Sequence, residues 1–145
     1  MPVWTRYAIA AALFYGLHQV FTKLAAQRIG EGLGGFVVEV AAAATILVYL
    51  GYLRFFGDWA QTASAPGVFY SVLTGICVGA GTVAFFLLFQ KGGPLSAVPM
   101  VLAAGAGFMA IVGILFFKES AHWTRIVGIG FAIAGLYLVQ YAPAK

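Results

Sequence analysis

One acidic residue lies well inside an apolar stretch of the chain. Glu39 stands about 9 Å from the start of the run Leu33–Phe56 if that run is helical. At the centre of a membrane helix a charge costs about 2.5–3.5 kcal/mol on insertion scales, so Glu39 should face protein or a water-filled cavity. Three interpretations stay open: a proton- or cation-binding carboxylate that changes partner between inward and outward states, a fixed pair with Lys23, or a shallow, solvated carboxylate.

Polar side chains also follow one face of the apolar run that precedes Glu39. His18 lies near the middle of that run, and Tyr15, Gln19 and Thr22 flank it at helical spacings of three and four. Such a stripe can form the wall of a substrate site. The alternative is a set of interhelical hydrogen bonds, worth about 0.6 kcal/mol each on average. Together with Lys23 and Glu39, this stripe is the predicted substrate- or ion-binding set.

Other reactive residues form no catalytic pattern. The single cysteine, Cys77, lies in an apolar run, which excludes an intrachain disulfide and predicts a small buried side chain. His18 and His122 are far apart and lack a nucleophile partner, and no glycine-rich loop precedes a Lys-Ser/Thr pair that would hold ATP. We therefore predict a protein that is not an enzyme and that needs neither a metal nor another cofactor.

The composition shows which elements must position these residues. The chain of 145 residues is 63% hydrophobic and only 8% charged, whereas a soluble domain carries about 25% charged residues. The net charge of +4 comes from lysines and arginines scattered at the ends of apolar runs, so it gives no support to a nucleic-acid partner. This balance predicts a protein embedded in a lipid bilayer.

Five apolar runs approach the roughly 20 residues that a membrane helix needs. They are Trp4–Ala26, Leu33–Phe56, Gly67–Gln90, Leu95–Phe117 and Trp123–Tyr141. We predict an all-α membrane protein with five transmembrane helices in a single domain, residues 1–145. It should lie in the cell membrane, which is the cytoplasmic membrane in a prokaryote.

Prolines and glycines mark the ends of these helices. Ser64 and Pro66 can start the third helix, and the glycines after Lys91 can end it. Pro94 and Pro99 open the fourth helix, either as a hinge for rocking or as ordinary helix initiation.

Small residues recur at spacings of four in the last three runs, a pattern that lets helix backbones approach closely. The pairs are Gly75 with Gly79, Ala103 with Gly107, and Gly128 with Ala132. We predict that they pack helices, whether within the chain or between two chains.

Lysines and arginines are balanced between the two sides of the predicted membrane. Arg6, Arg54, Lys118 and Arg125 fall on one side, and Lys23, Arg28, Lys91 and Lys145 fall on the other. Because cytoplasmic loops normally carry the excess, this tie sets no preferred orientation. Either other features fix one topology, or both orientations are inserted and an antiparallel pair forms.

Three segments carry a resemblance to a known family: FYGLHQVFTKLA, GGPLSAVPMVLAAGAGFMAIVGILFFKES and TRIVGIGFAIAGLYLV. They resemble the EamA domain, the repeat unit of the drug/metabolite transporter superfamily. Lys118-Glu119 stands where that family commonly has Gly-Glu, Gly128 and Gly135 match its spaced glycines, and Tyr15-Gly16 with Lys23 matches its first helix. Glu39 departs from the pattern, because the family often has a basic residue in about that region.

The resemblance implies one half of a ten-helix inverted-repeat transporter fold, so another chain must supply the second half. It favours an antiparallel homodimer over a heterodimer with a paralogous half. The implied function is secondary transport of small metabolites or amphipathic, cationic compounds by alternating access, driven by a proton or substrate gradient. The alternatives are a membrane partner that stabilises another protein without transporting, and a subunit of a lipid-linked sugar flippase.

Overall fold

The protein is a chain of five α-helices in the computed structural model, which describes residues 2–57, 59–120 and 122–140. The helices are α1 Val3–Ala26, α2 Glu31–Phe56, α3 Ala65–Gln90, α4 Ala97–Phe116 and α5 Trp123–Gln140. Each predicted run is therefore confirmed as a helix to within two residues, apart from Tyr141, which lies outside the described residues.

Four of these helices, α1 to α4, are long and apolar enough to cross a membrane. The fifth predicted span is only partly confirmed, since the apolar helix found within α5 is the shorter segment Ile126–Gly135. The described chain is thus an all-α membrane protein with four candidate membrane-spanning helices and one shorter apolar helix.

The chain divides into two compact units at Gly92 and Gly93. The first unit contains α1, α2 and α3, and the second contains α4 and α5. Gly92 has a φ of 88°, and its N–H donates to Phe89 O at 3.1 Å, which is how glycine commonly ends a helix. The glycines after Lys91 therefore end α3 as predicted.

Close approach of α2 to α3 organises the first unit. A β-carbon at Gly34 would overlap the ring of Phe86, which is fully buried, and one at Gly35 would lie 3.3 Å from Val83 Cγ2. At the end of this interface Gln90 Nε2 donates to Ile29 O at 3.0 Å. Glycine is required at Gly34 because only the absence of a side chain lets the aromatic ring of α3 reach the α2 backbone.

Burial in the first unit is concentrated at one end. Buried side chains occur between residues 19 and 35 of the α1–α2 pair and between residues 82 and 89 of α3, a region that we call the packed end. In residues 6–17, 40–49 and 65–78, which we call the exposed half, every side chain is exposed. Helices that are apolar all round are covered by lipid or by other protein, so the exposed half needs one of these.

Cys77 lies in this exposed half and is itself exposed, so the prediction of a buried side chain was wrong. The physical reason is that no neighbouring helix of the first unit covers this part of α3. The hydroxyls here are satisfied locally: Ser71 and Thr74 donate to the carbonyls of Gly67 and Tyr70, each at 2.9 Å. Polar side chains bonded in this way can face an apolar environment.

The start of α3 follows the sequence prediction. Ser64 is the N-cap residue, and its hydroxyl oxygen accepts a hydrogen bond from Gly67 N–H at 3.2 Å. Pro66 lies in the first turn, where its missing N–H would have had no helical partner.

The predicted prolines of α4 lie where they disturb the helix least. Pro94 precedes the helix, and its carbonyl accepts from Ala97 N–H at 3.0 Å. Pro99 is the third residue of α4 and therefore also lies in the first turn. Helix initiation accounts for both residues, while a hinge role for Pro94 or Pro99 stays a prediction.

The turn after α4 contains an unusual backbone conformation. Lys118 has a φ of 53°, the left-handed region that favours glycine, and the N–H groups of Phe117 and Glu119 both donate to Gly113 O. A β-carbon at Gly113 would lie 3.1 Å from Glu119 Oε2, so the glutamate side chain folds back over the helix end. A glycine at position 118 would adopt this conformation without the steric cost of a β-carbon.

The glycines predicted to pack helices have no such contacts within the described chain. A β-carbon at Gly75, Gly79, Gly107 or Gly128 would meet no atom of the described residues within 4 Å. The close approach within the chain instead uses Gly34 and Gly35, which the spacing pattern did not indicate. Packing of the predicted glycines between two chains stays a prediction.

Candidate functional site

The candidate site lies where α2 and α3 bring Glu39 and Thr82 together. Glu39 follows Gly35 by one helical turn, and Thr82 precedes Phe86 by one turn, so the tight contact of the glycines sets the register of both side chains. Thr82 Oγ1 donates to Glu39 Oε1 at 2.7 Å, and it also lies 3.0 Å from Val78 O. The hydroxyl has one hydrogen for two acceptors, and the carboxylate is the stronger of the two.

Helix α1 supplies the predicted polar stripe, with Gln19 at 6% exposure and Thr22 at 2%. Thr22 Oγ1 donates to His18 O at 2.8 Å, so this hydroxyl is satisfied within its own helix and forms no interhelical bond. The ring of His18 makes an edge contact with Tyr15, with centroids 6.4 Å apart. Tyr15 itself is exposed, so the stripe runs from the packed end into the exposed half.

Two buried polar atoms of α1 lack a hydrogen-bond partner in the described part of the chain. They are Gln19 Oε1 and His18 Nδ1. An unsatisfied buried polar atom costs about 1–3 kcal/mol, and such atoms are rare in folded proteins. Both atoms therefore need a hydrogen-bond partner that the described residues do not supply.

Glu39, Thr82, His18 and Gln19 occupy one level of the first unit. Each lies about 11–12 Å from the packed end of its helix at 1.5 Å per residue, and the Gln90–Ile29 hydrogen bond holds those helix ends together. We call these four residues the polar layer. It stands where the packed end gives way to the exposed half.

Lys23 does not take part in the ion pair that was one interpretation of Glu39. No salt bridge joins Lys23 and Glu39, although the structure describes both residues, and the hydrogen-bond partner of Glu39 is Thr82. Lys23 is half-buried and lies one turn closer to the end of α1 than the polar layer. Glu39 is half-buried too, so it is neither fully solvated nor neutralised by the chain's own lysine.

The polar layer can hold a proton or a cation but offers nothing for bond-breaking chemistry. Glu39 supplies a carboxylate with one oxygen fixed by Thr82, and His18 and Gln19 supply further acceptor atoms. Among the described residues, no three His, Cys, Asp or Glu side chains lie close enough to form a metal site. The arrangement places a carboxylate, bonded to a hydroxyl donor, within helices long and apolar enough to cross a membrane.

Sequence reasoning missed Thr82, which is one of three buried polar residues in the described chain. A threonine in an apolar helix usually bonds its own backbone, as Thr22 and Thr74 do. Thr82 differs from them because the register of α3 against α2 places its hydroxyl beside Glu39. That register depends on the contact between Gly34 and Phe86.

Comparisons with known proteins are consistent with this class of structure. The chain is similar to a protein of Sinorhizobium sp. named "uncharacterized transporter in cobO 3′ region", with 25% identity over 143 residues, covering 94% of this chain and 95% of that protein. No family model matches the chain. No solved structure matches it either.

Fold and site together define an all-α membrane protein with a polar layer inside a helical unit. Over nearly its whole length the chain is similar to a protein that is named a transporter.

Proposed function

We propose that this protein is the half-unit of a secondary transporter, which moves small metabolites or amphipathic, cationic compounds across the cell membrane by alternating access. The observation that carries the proposal is Glu39, an acid in a membrane-spanning helix that is held by Thr82 and has no ion pair with Lys23. Intramembrane carboxylates are costly and mark ion or substrate paths. The similarity to a named transporter supports the same class.

The position of the polar layer suits a site that opens and closes. At this level α1, α2 and α3 pass from the packed end into segments exposed on all sides. A second body placed against the exposed half completes a cavity with Glu39 at its closed end. Rocking that body between two positions exposes the site to each side of the membrane in turn, which is the general design of inverted-repeat transporters.

We propose that this second body is another copy of the same chain. The resemblance to an EamA domain implies an inverted pair of five-helix units, and the balance of four basic residues on each predicted side allows both orientations to insert. The predicted glycines Gly75 and Gly79, which make no close contact within the described chain, are then available for contacts between copies.

Glu39 couples the occupant of the site to the helices around it. With the carboxylate ionised, Thr82 donates to Glu39 and links α2 to α3. When a proton or a cationic substrate neutralises Glu39, the same hydroxyl keeps its alternative acceptor, Val78 O, within α3. Occupancy thereby exchanges a bond between helices for a bond within one helix.

Purified protein in liposomes with an internal pH-sensitive dye tests this function. We expect a panel of small metabolites and ammonium compounds to include members that dissipate an imposed pH gradient faster than in empty liposomes. Activity only after addition of a second membrane protein would instead support a heterodimeric or stabilising subunit. Silence under both conditions would rule the proposal out.

A further inference from the structure

The unsatisfied atoms of the polar layer restrict what can occupy it. Gln19 is more than nine-tenths buried, and its Oε1 has no partner in the described chain; His18 Nδ1 beside it is also buried and unpartnered. The amide oxygen accepts hydrogen bonds, and so does Nδ1 when Nε2 carries the ring proton. The unpaired groups on α1 thus call for hydrogen-bond donors.

The charge of the polar layer favours a cationic ligand. Glu39 is the acid at this level, and it has no salt bridge within the described residues. Of the other charged side chains on the packed helices, Lys23 lies one turn away on α1 and Glu31 lies at the start of α2. Arg6 and Arg54 lie near the opposite ends of α1 and α2, and α3 carries no charged residue. An anionic ligand would face Glu39, whereas a cationic ligand compensates it.

A positive charge and several hydrogen-bond donors occur together in a protonated primary amine. Its three N–H bonds equal in number the acceptors that this level offers, namely the Glu39 carboxylate, Gln19 Oε1 and, in one tautomer, His18 Nδ1. A quaternary ammonium ion carries the same charge but no N–H, so it would leave the two acceptors of α1 unpaired. Sites that are built to hydrogen-bond a ligand reject analogues that lack the donor far more strongly than sites that recognise shape alone.

We propose that the polar layer binds the primary ammonium group of an amphipathic ligand and selects it over quaternary ammonium groups. This inference rests on the proposed transport function and names the substrate class of that site. The remainder of the ligand would extend into the exposed half, where Tyr15 lies one turn further along α1 and packs edge-on against His18.

A matched pair of soluble probes tests the selection. Binding of benzylammonium and of benzyltrimethylammonium to the protein in lipid nanodiscs is measured by calorimetry at pH 7. We expect benzylammonium to bind about tenfold tighter or more, the ratio that charge-assisted hydrogen bonds supply. Gln19→Met, which keeps the side-chain length without the acceptor, should remove most of this preference. Gln27→Met, at an exposed residue in the turn after α1, should leave it unchanged.

Equal affinities for the two probes, no binding of either, or an unchanged preference in Gln19→Met would overturn the inference. If Gln19→Met does not yield folded protein, Gln19→Glu keeps an acceptor at the same place and must retain the preference. The proposed function fails separately: dissipation of the pH gradient by other compounds, without amine selection, would leave transport standing and remove only the substrate class. Selective binding without any flux would leave the amine selection standing and remove the transport function.

Discussion

Thr82 Oγ1 lies 2.7 Å from Glu39 Oε1 and 3.0 Å from Val78 O, so a single hydroxyl hydrogen stands between a carboxylate of α2 and a carbonyl of its own helix. The contact is placed by the packing one turn away, where Phe86 of α3 lies against the bare backbone of Gly34. A link between two helices therefore depends on the charge of one side chain.

This relationship predicts an energetic coupling between Thr82 and Glu39. Thr82→Val removes the donor at nearly constant shape and should lower the free energy of unfolding by about 1.5 kcal/mol, near the upper end for hydrogen bonds between membrane helices because the acceptor is a carboxylate. In a Glu39→Leu background the same substitution should cost much less. Reversible unfolding in mixed micelles measures both effects. Thr82→Ser is the control, since it keeps the hydroxyl. Equal costs in both backgrounds would show that the bond contributes nothing.

The α2–α3 contact predicts a strong position dependence for glycine substitutions. Gly34→Ala should be destabilising by about 1–2 kcal/mol, because overlap with Phe86 outweighs the gain in helix propensity. Gly16→Ala is the matched control: its β-carbon meets nothing within 4 Å, so it should stabilise α1 by up to about 1 kcal/mol. Thermal unfolding of the detergent-solubilised protein compares the two variants.

A second substitution checks the cause. Phe86→Leu, which shortens the ring that meets Gly34, should recover part of the stability lost in Gly34→Ala. If Gly34→Ala is as stable as Gly16→Ala, then α2 and α3 do not approach as closely at Gly34 as in this structure.

The left-handed residue after α4 predicts a stabilising substitution. Lys118 has a φ of 53°, so Lys118→Gly should raise the free energy of unfolding by about 0.5–1 kcal/mol through release of backbone strain. Lys118→Ala also removes the charge but keeps the β-carbon, and it should give no gain. The difference between the two variants isolates the backbone effect, and a Lys118→Ala variant as stable as Lys118→Gly would contradict it.

The helices could be predicted from the sequence because their signals are local. Apolar length defines the five runs, and Ser64, Pro66 and the glycines after Lys91 end or begin helices through contacts within a few residues. The candidate site residues could be named for a similar reason, since a charge such as Glu39 in an apolar run is visible without any tertiary information.

What could not be predicted depends on which face of each helix meets another. The spacing of Gly75 and Gly79 indicated packing, yet the close contact uses Gly34 with Phe86, whose register no local pattern encodes. The choice of Thr82 instead of Lys23 as the partner of Glu39 follows from that register. Cys77 was expected to be buried because apolar surroundings in the sequence do not distinguish protein neighbours from lipid.

The balance of basic residues predicts dual topology. Reporter domains that are active on only one side of the membrane, fused after Lys145, should each show activity in a fraction of the molecules. Additional lysines in the turn after α1 should shift the population to one orientation, because basic residues stay on the cytoplasmic side. A single-sided result for the unmodified chain would exclude the antiparallel homodimer and favour a heterodimer.

In the proposed transport cycle, Glu39 is the coupling carboxylate. The most direct measurement is dissipation of a pH gradient in dye-loaded proteoliposomes containing the wild type, Glu39→Gln or Glu31→Gln at equal protein content. Glu31, which is in the first turn of α2 and outside the polar layer, provides the matched control. We predict that Glu39→Gln abolishes substrate-dependent flux while remaining folded, and that Glu31→Gln retains it. Full flux in a folded Glu39→Gln protein would contradict a coupling role for Glu39.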